Sequence, residues 1–388
     1  MQEDGIDYSR IKVDEEPRWS QTSLKIIDLC PKQYFFSRVL RIQRIAAPEM
    51  IRGTILHNLI ENFWKIEKGV YVPIPRYKTE DAFAGVSRAR VANTRREAYK
   101  TGRTRDGLVD KRVLGILWSK SFVEETEEMA RLIYRRYTKE DEKERVRNGK
   151  RRVELNLLGE ILFEGKRIEY ETKIDELLPS YENSTLILRD HKTGYIKMPR
   201  EFVDHDLQFS FYAFALWNEL TNENSPLRED YPCLANKSLE EFLESLEIQV
   251  HHIPPVLTMR RKNFAEYEIP KESVFIPTRR SPQQILDLFK TILDKKELLK
   301  KRAFNPTTNT SICAYRCGYN HFCRSTNPEE ILREAQRVQE ERQIEENSLF
   351  NWAGICINSS MREKKPKSPR QERQRVMRLM KKNNELIF

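Results

Sequence analysis

The stretch KRIEYETKIDELLPSYENSTLILRDHKTG runs from Lys166 to Gly194 and carries two different strand signals on either side of a turn. Its first part alternates, sending Tyr170, Thr172 and Ile174 to one face and Glu171, Lys173 and Asp175 to the other. Its second part, STLILRDHKTG, is a strand closed by Thr193 and Gly194. A period of two puts Asp190 and Lys192 on one face of that strand, about 7 Å apart, and turns His191 away. Asp175 lies fifteen residues before Asp190, the spacing a hairpin needs to return it beside that residue. Two carboxylates at neighbouring strand ends repel one another, and a hard divalent cation relieves the repulsion. Without that company, an Asp and a Lys on one strand face make only a surface ion pair of little energetic worth.

Working outward, MIRGTILHNLIENFWKIE (residues 50–67) predicts an amphipathic helix with Ile51, Ile55, Leu59 and Phe63 on its apolar face. Gly53, His57 and Glu61 fall at i, i+4 and i+8 of the same helix, aligning an imidazole and a carboxylate. Downstream, HDLQFSFYAFALWNEL (205–220) returns to a helical period and aligns Gln208 with Tyr212. An entry helix begins at TSLKIID with Thr22 or Ser23 as its cap and breaks at Pro31. A charged helix is expected over 120–147, a first strand with Glu154 at its head, strands at EIQVHHIPPV and FAEYEIP, and a helix from Pro282 to Lys301.

The 388 residues hold 69 basic and 59 acidic side chains, a formal charge of +10, which favours partners with phosphate backbones. The excess is uneven: Val86–Arg112 has nine Lys or Arg against three acids and reads as an exposed basic insertion, and Met361–Lys382 has ten against two. Arg95, Arg96, Lys100 and Arg103 are candidate contacts to a nucleic-acid backbone. Tyr34, with Phe35, Phe36 and Arg38, offers stacking for single-stranded bases, with core packing as the competing role for the three aromatics. No run approaches the roughly 20 apolar residues of a membrane span, and the acidic start has no secretory h-region, so a cytoplasmic location is expected. In such a compartment cysteines serve as metal ligands or buried thiols rather than disulfides. Three of the six, Cys313, Cys317 and Cys323, cluster in SICAYRCGYNHFCR (311–324), while Cys30, Cys233 and Cys356 stand apart.

Taken in order, Gly53-x3-His57-x3-Glu61, Ile174-Asp175, Asp190-x-Lys192 and Gln208-x3-Tyr212 resemble the RecB-like branch of the PD-(D/E)xK nucleases. The opening SLKIIDLCPKQYFFSRVL is similar to that branch's first helix and Cys-Pro turn, so the resemblance covers roughly 20–65 and 150–325. It implies an α/β, restriction-endonuclease-like core: a mixed central sheet flanked by helices, with a helical insertion and a Cys-ligated cluster. It also implies that Asp175, Asp190, His57 and the carbonyl of His191 hold Mg²⁺ or Mn²⁺, and that Lys192 positions and polarises the attacking water. Gln208 and Tyr212 would orient the strand or the lysine, with Glu61 behind the metal ligands. Several RecB-like nucleases, among them the AddB nuclease domain, exonuclease V and the CRISPR adaptation nucleases, join one early cysteine to three late ones around a [4Fe-4S] cluster. Cys30, Cys313, Cys317 and Cys323 match that arrangement, with C-x3-C where C-x2-C is usual; zinc and plain buried thiols are the alternatives.

The expected organisation is a lead (1–18), entry helices (19–65), a helical basic insertion (66–150), a nuclease core ending in the Cys-rich turn (151–325), and a charged helix with a basic tail (326–388). The resemblance implies a metal-dependent DNA nuclease, an exonuclease acting on single strands or DNA ends in repair or recombination. One alternative is a CRISPR adaptation nuclease, though this chain is long for that compact group. Another is a catalytically silent DNA-binding module held by its cluster, against which the complete Asp175, Asp190 and Lys192 set argues.

Overall fold

The computed structural model describes residues 13–14, 16–42, 44–147, 150–179, 185–194, 199–261, 271–305 and 319. Two compact units are distinguished, Met1–Ala335 and Gln336–Phe388, and the described residues all belong to the first. The strand expected at FAEYEIP, Cys313, Cys317, Cys323, Cys356 and the tail 361–382 lie outside the described residues.

Helix α1 (Gln21–Leu29) is capped by Ser20, two or three residues ahead of the expected Thr22 or Ser23, because the Ser20 hydroxyl accepts the Ser23 N–H at 3.2 Å. Pro31 opens α2 (Pro31–Tyr34), which continues as a π-helical turn over Phe35–Val39. Helix α3 (Pro48–Glu61) ends six residues short of the expected Glu67. The aromatic and β-branched residues that follow pair instead, β1 (Trp64–Glu67) against β2 (Val70–Pro75). Next come α4 (Glu80–Thr101), a short hairpin of β3 (Arg103–Thr104) and β4 (Gly107–Leu108), then α5 (Lys111–Trp118), α6 (Lys120–Tyr137) and α7 (Glu140–Arg147). The helical basic insertion thus also contains short hairpins, and the single charged helix expected over 120–147 is two. Nor is α4 a bare polar rod: Phe83, Val91 and Ala98 are buried while Arg88, Arg90, Arg96 and Lys100 are exposed.

The remaining elements build the core: β5 (Arg152–Phe163), β6 (Lys166–Pro179), β7 (Leu186–Thr193), α8 (Arg200–His205), α9 (Leu207–Thr221), α10 (Pro226–Asp230), α11 (Leu239–Glu244), β8 (Leu246–Ile253), α12 (Val256–Arg261), β9 (Val274–Thr278) and α13 (Pro282–Lys300). The strands form a five-stranded sheet in the order β5-β6-β7-β8-β9. Only β7 and β8 are parallel, and α8 to α11 make the crossover between them. Apolar residues form two clusters. One joins Ile27 of α1, Phe209 and Phe214 of α9 and Phe289 of α13 to Leu177 and Leu188 of the sheet. The other joins Leu56 of α3, Val91 of α4 and Ile133 of α6 to Leu178 and Ile187. Adjacent strand residues enter different clusters, so the sheet is covered on both faces.

A buried polar network ties the middle of the sheet to the insertion. Arg189, fully buried, donates to Glu142 of α7, Glu176 of β6 and Gln249 of β8. Arg151 Nε donates to Glu176 Oε1 at 2.5 Å and the Tyr137 hydroxyl to Glu176 Oε2 at 3.0 Å. Burial alone would raise the Glu176 carboxyl, but Arg151 and Arg189 more than offset it and hold the group well below the carboxylate range.

Candidate active site

The ladder between β6 and β7 stops at the pair Glu176 and Arg189, and Asp175 and Asp190 are the next residue on each strand. In place of a ladder partner, the His191 N–H donates to Asp175 Oδ2 at 2.8 Å. Asp190 turns toward α9, where Gln208 Nε2 donates to its Oδ1 at 2.7 Å and the Tyr212 hydroxyl donates to the same oxygen at 3.3 Å. Lys192 Nζ forms an ion pair with Asp190 Oδ2 at 2.6 Å. The His191 ring goes to the opposite face and meets His251, Nδ1 to Nδ1 at 3.0 Å. Asp190 and Lys192 therefore share a face that His191 does not.

Helix α3 supplies the other wall. A Cβ at Gly53 would lie 3.2 Å from Thr193 Oγ1, so glycine allows the helix to approach the end of β7 closely. One turn on, His57 Nε2–H donates to the carbonyl of His191 at 2.8 Å and Nδ1 lies 3.6 Å from Asp175 Oδ2. Glu154 stands opposite Asp175 in the register of β5 and β6, with a left-handed φ of 52° that is unusual for a residue with a side chain. Potential ligand atoms of His57, Glu154 and Asp175 all lie within 4.8 Å of one another. They open, with Glu61 and Lys192, onto a cavity of about 540 Å³.

Burial raises the Asp175 carboxyl, and the nearby Asp190 raises it further, against the opposing pull of His57 and Lys192. Burial alone would lower Lys192, but Asp190 and Asp175 outweigh it and keep the amine protonated. Burial, with Asp190 next, pushes Tyr212 well above the usual phenol range, so its hydroxyl serves as a donor. Carboxylate oxygens, one imidazole and one carbonyl are the donor set of a hard or borderline divalent ion, and the raised Asp175 carboxyl is what such an ion relieves. The residues present fit a divalent metal.

Several side chains that shape the site carry little sequence signal. Lys25 of α1 donates to Gln208 Oε1 at 2.7 Å and to Asp206 Oδ2 at 2.8 Å, which turns the Gln208 amide nitrogen toward Asp190. Gln21, held by Thr172 at 3.1 Å, reaches the Tyr212 hydroxyl at 3.4 Å. Arg105 and Asp106, at the tip of the β3–β4 hairpin, also line the cavity, as does Lys173, which pairs with Glu154.

The residues expected to meet nucleic acid are placed unevenly. Tyr34 is 4% exposed and packs in the main core with Phe35 and Phe36, so no ring face is open to a base; the stacking expectation is corrected to core packing. Arg38, Arg96 and Lys100 are exposed, and Arg103 is half-buried. Arg95 is also half-buried, its guanidinium 5.1 Å from the centre of the Trp118 ring. Cys30 is buried at the end of α1, and the three cysteines expected to join it lie outside the described residues.

No curated protein matches the chain. Among solved structures, one named "Putative exonuclease" from Eubacterium rectale aligns over 84% of this chain and 94% of its own, at 11% identity and a TM-score of 0.41. SSO0001 aligns over 72% of this chain and 96% of its own, at 12% identity and a TM-score of 0.28. Both likenesses are too distant to bear on the site. The family model of the PD-(D/E)XK nuclease superfamily matches residues 18–324, a span that holds α1, α3, the five-stranded sheet and every residue of the cavity. The chain belongs to the PD-(D/E)XK nuclease superfamily.

Proposed function

We propose that the chain is a metal-dependent deoxyribonuclease that hydrolyses phosphodiester bonds at single strands or DNA ends, as an exonuclease. The observation that carries this reading is the meeting of Asp175, Asp190 and Lys192 where β6 and β7 part, with His57 and Glu154 facing them. Asp175, Asp190, His57 and the His191 carbonyl would hold Mg²⁺ or Mn²⁺, with Glu154 within reach and Glu61 behind. Such an ion, when bound, lowers the pKa of water and stabilises charge on the scissile phosphate.

The chain's own residues do the rest. Lys192 is held as an ammonium by Asp190, so it orients a water and stabilises negative charge rather than removing the proton. That proton passes to solvent as the water oxygen bonds to phosphorus and the bridging oxygen leaves. Gln208 and Tyr212 fix Asp190 Oδ1 so that its orientation survives the arrival of substrate. We further propose that Cys30, Cys313, Cys317 and Cys323 hold a [4Fe-4S] cluster. Support comes from Tyr319, which lies between two of these cysteines and donates to the Ile42 carbonyl at 2.9 Å, near the segment that follows Cys30.

The test is digestion of end-labelled single-stranded and duplex DNA with Mg²⁺ or Mn²⁺, comparing wild type with Asp175→Ala and Lys192→Ala. Cleavage by the wild type alone supports the reading. Full activity in both variants contradicts it.

A further inference from the structure

The β3–β4 hairpin belongs to the insertion, yet its tip forms part of the cavity wall. Three long basic side chains line that cavity: Lys173, Lys192 and Arg105. Lys173 is paired with Glu154 and Lys192 with Asp190. Among the described residues Arg105 has neither a hydrogen bond nor an ion pair, although its charge is felt at Lys173 and Asp106. Pairing neutralises two of the cations; the third lines the same cavity with its donors unused among the described residues.

The backbone of the hairpin is seated from several directions, and Arg105 stands exposed at its tip. Gly102 closes α4 in a left-handed conformation, and Thr101 Oγ1 accepts the Arg103 N–H at 3.2 Å. Beyond the tip, the Leu108 N–H donates to Arg44 O at 3.0 Å and Leu108 O accepts the Ala46 N–H at 2.8 Å. Gly107 sits at φ 139°, where a Cβ would come within 2.4 Å of Arg44 O, so the hairpin is seated too closely for any other residue. At the tip, Thr54 of α3 donates to Asp106 Oδ1 at 2.7 Å. The tip is thus tied to the helix that carries His57.

We propose that Arg105 is a substrate-binding residue that grips a phosphate of the nucleic-acid backbone beside the scissile bond, making the insertion's hairpin one wall of the active site. The inference rests on the nuclease reading for the identity of its ligand. A planar guanidinium with five donors matches phosphate oxygens, and a fixed hairpin lowers the ordering that binding requires.

The probe is a fluorescent oligo-dT strand, its binding to the full chain measured by anisotropy in EDTA across a salt series, where no metal-dependent cleavage intervenes. Arg105→Ala, and Arg105→Gln as a second variant, are expected to weaken binding about tenfold at low salt and to lower the slope of log K against log salt by about 0.7. Arg105→Lys keeps the slope and loses part of the affinity. In the cleavage assay the Ala variant raises KM more than it lowers kcat. Unchanged affinity and slope in both neutral variants would overturn the proposal and leave the nuclease reading intact. Loss of slope in a protein that binds DNA but never cleaves it would sustain Arg105 as a phosphate contact and sink the nuclease reading, and the scissile bond with it. A wild type that does not bind the strand at low salt would overturn the proposal.

Discussion

Lys192 and Asp190 are joined at 2.6 Å, with the Asp190 carboxylate buried. Lys192→Ala is expected to lower kcat by about 10²–10³ and, because it leaves that carboxylate without its cation, to lower the thermal midpoint as well, checked by steady-state kinetics beside a melting curve. A second prediction concerns Lys25, whose ammonium fixes the Gln208 amide from outside the cavity. Lys25→Met should reduce activity about tenfold without altering DNA affinity, because it releases an orienting bond rather than a substrate contact. The facing of Asp190, Lys192 and His191 was legible, since strand alternation alone determines it. Lys25 and Asp106 were not, because each is positioned by a partner from a distant element, Gln208 and Thr54 respectively, and Arg105 was not, because only the fold brings the hairpin tip to the cavity. Tyr34 misled for a related reason, as an aromatic run beside an arginine reads alike whether it packs inward or stacks on a base.

At the scale of elements, α3 and β7 set the site by their close approach, and the strand pair β6–β7 sets it by ending early. Gly53→Leu should push α3 away from Thr193 and reduce activity and metal affinity together, with circular dichroism unchanged. Behind the strands, Glu176→Gln leaves Arg151 and Arg189 buried without their shared carboxylate and should cost about 3–5 kcal/mol at neutral pH by chemical denaturation. Because the folded Glu176 carboxyl is held well below its ordinary value, this contribution is fully present above the unfolded pKa of about 4.3. It is lost as pH falls further through the folded value, so the difference between wild type and variant shrinks in acid. The strand expected at EIQVHHIPPV is β8, and the sequence marked β6, β7, α9 and α13 by their periods. It did not mark the end of α3 at Glu61, because WKIE continues a helical apolar pattern and only pairing with β2 makes it a strand. Strand β9 escaped because VFIPT is short and holds a proline, which an edge strand tolerates.

For the whole molecule, the order of motifs along the chain predicted a mixed sheet between helices, and the sheet runs β5-β6-β7-β8-β9 with helices on both faces. The route of the insertion to the cavity was illegible: a basic, polar segment gives no hint that Arg44 and Ala46 hold its hairpin against the site. Among the described residues no helix is long and apolar enough to cross a membrane. If the proposed cluster is present, anaerobically purified protein should absorb near 400 nm and contain about four irons per chain, and Cys30→Ala should abolish both.

The most direct measurement is anomalous diffraction at the manganese edge from crystals of the full chain soaked in Mn²⁺. The account predicts density within about 2.0–2.6 Å of carboxylate oxygens of Asp175 and Asp190, beside His57 and the His191 carbonyl, and its loss in Asp175→Asn crystals. Density elsewhere on the molecule, or none at saturating Mn²⁺, would contradict it.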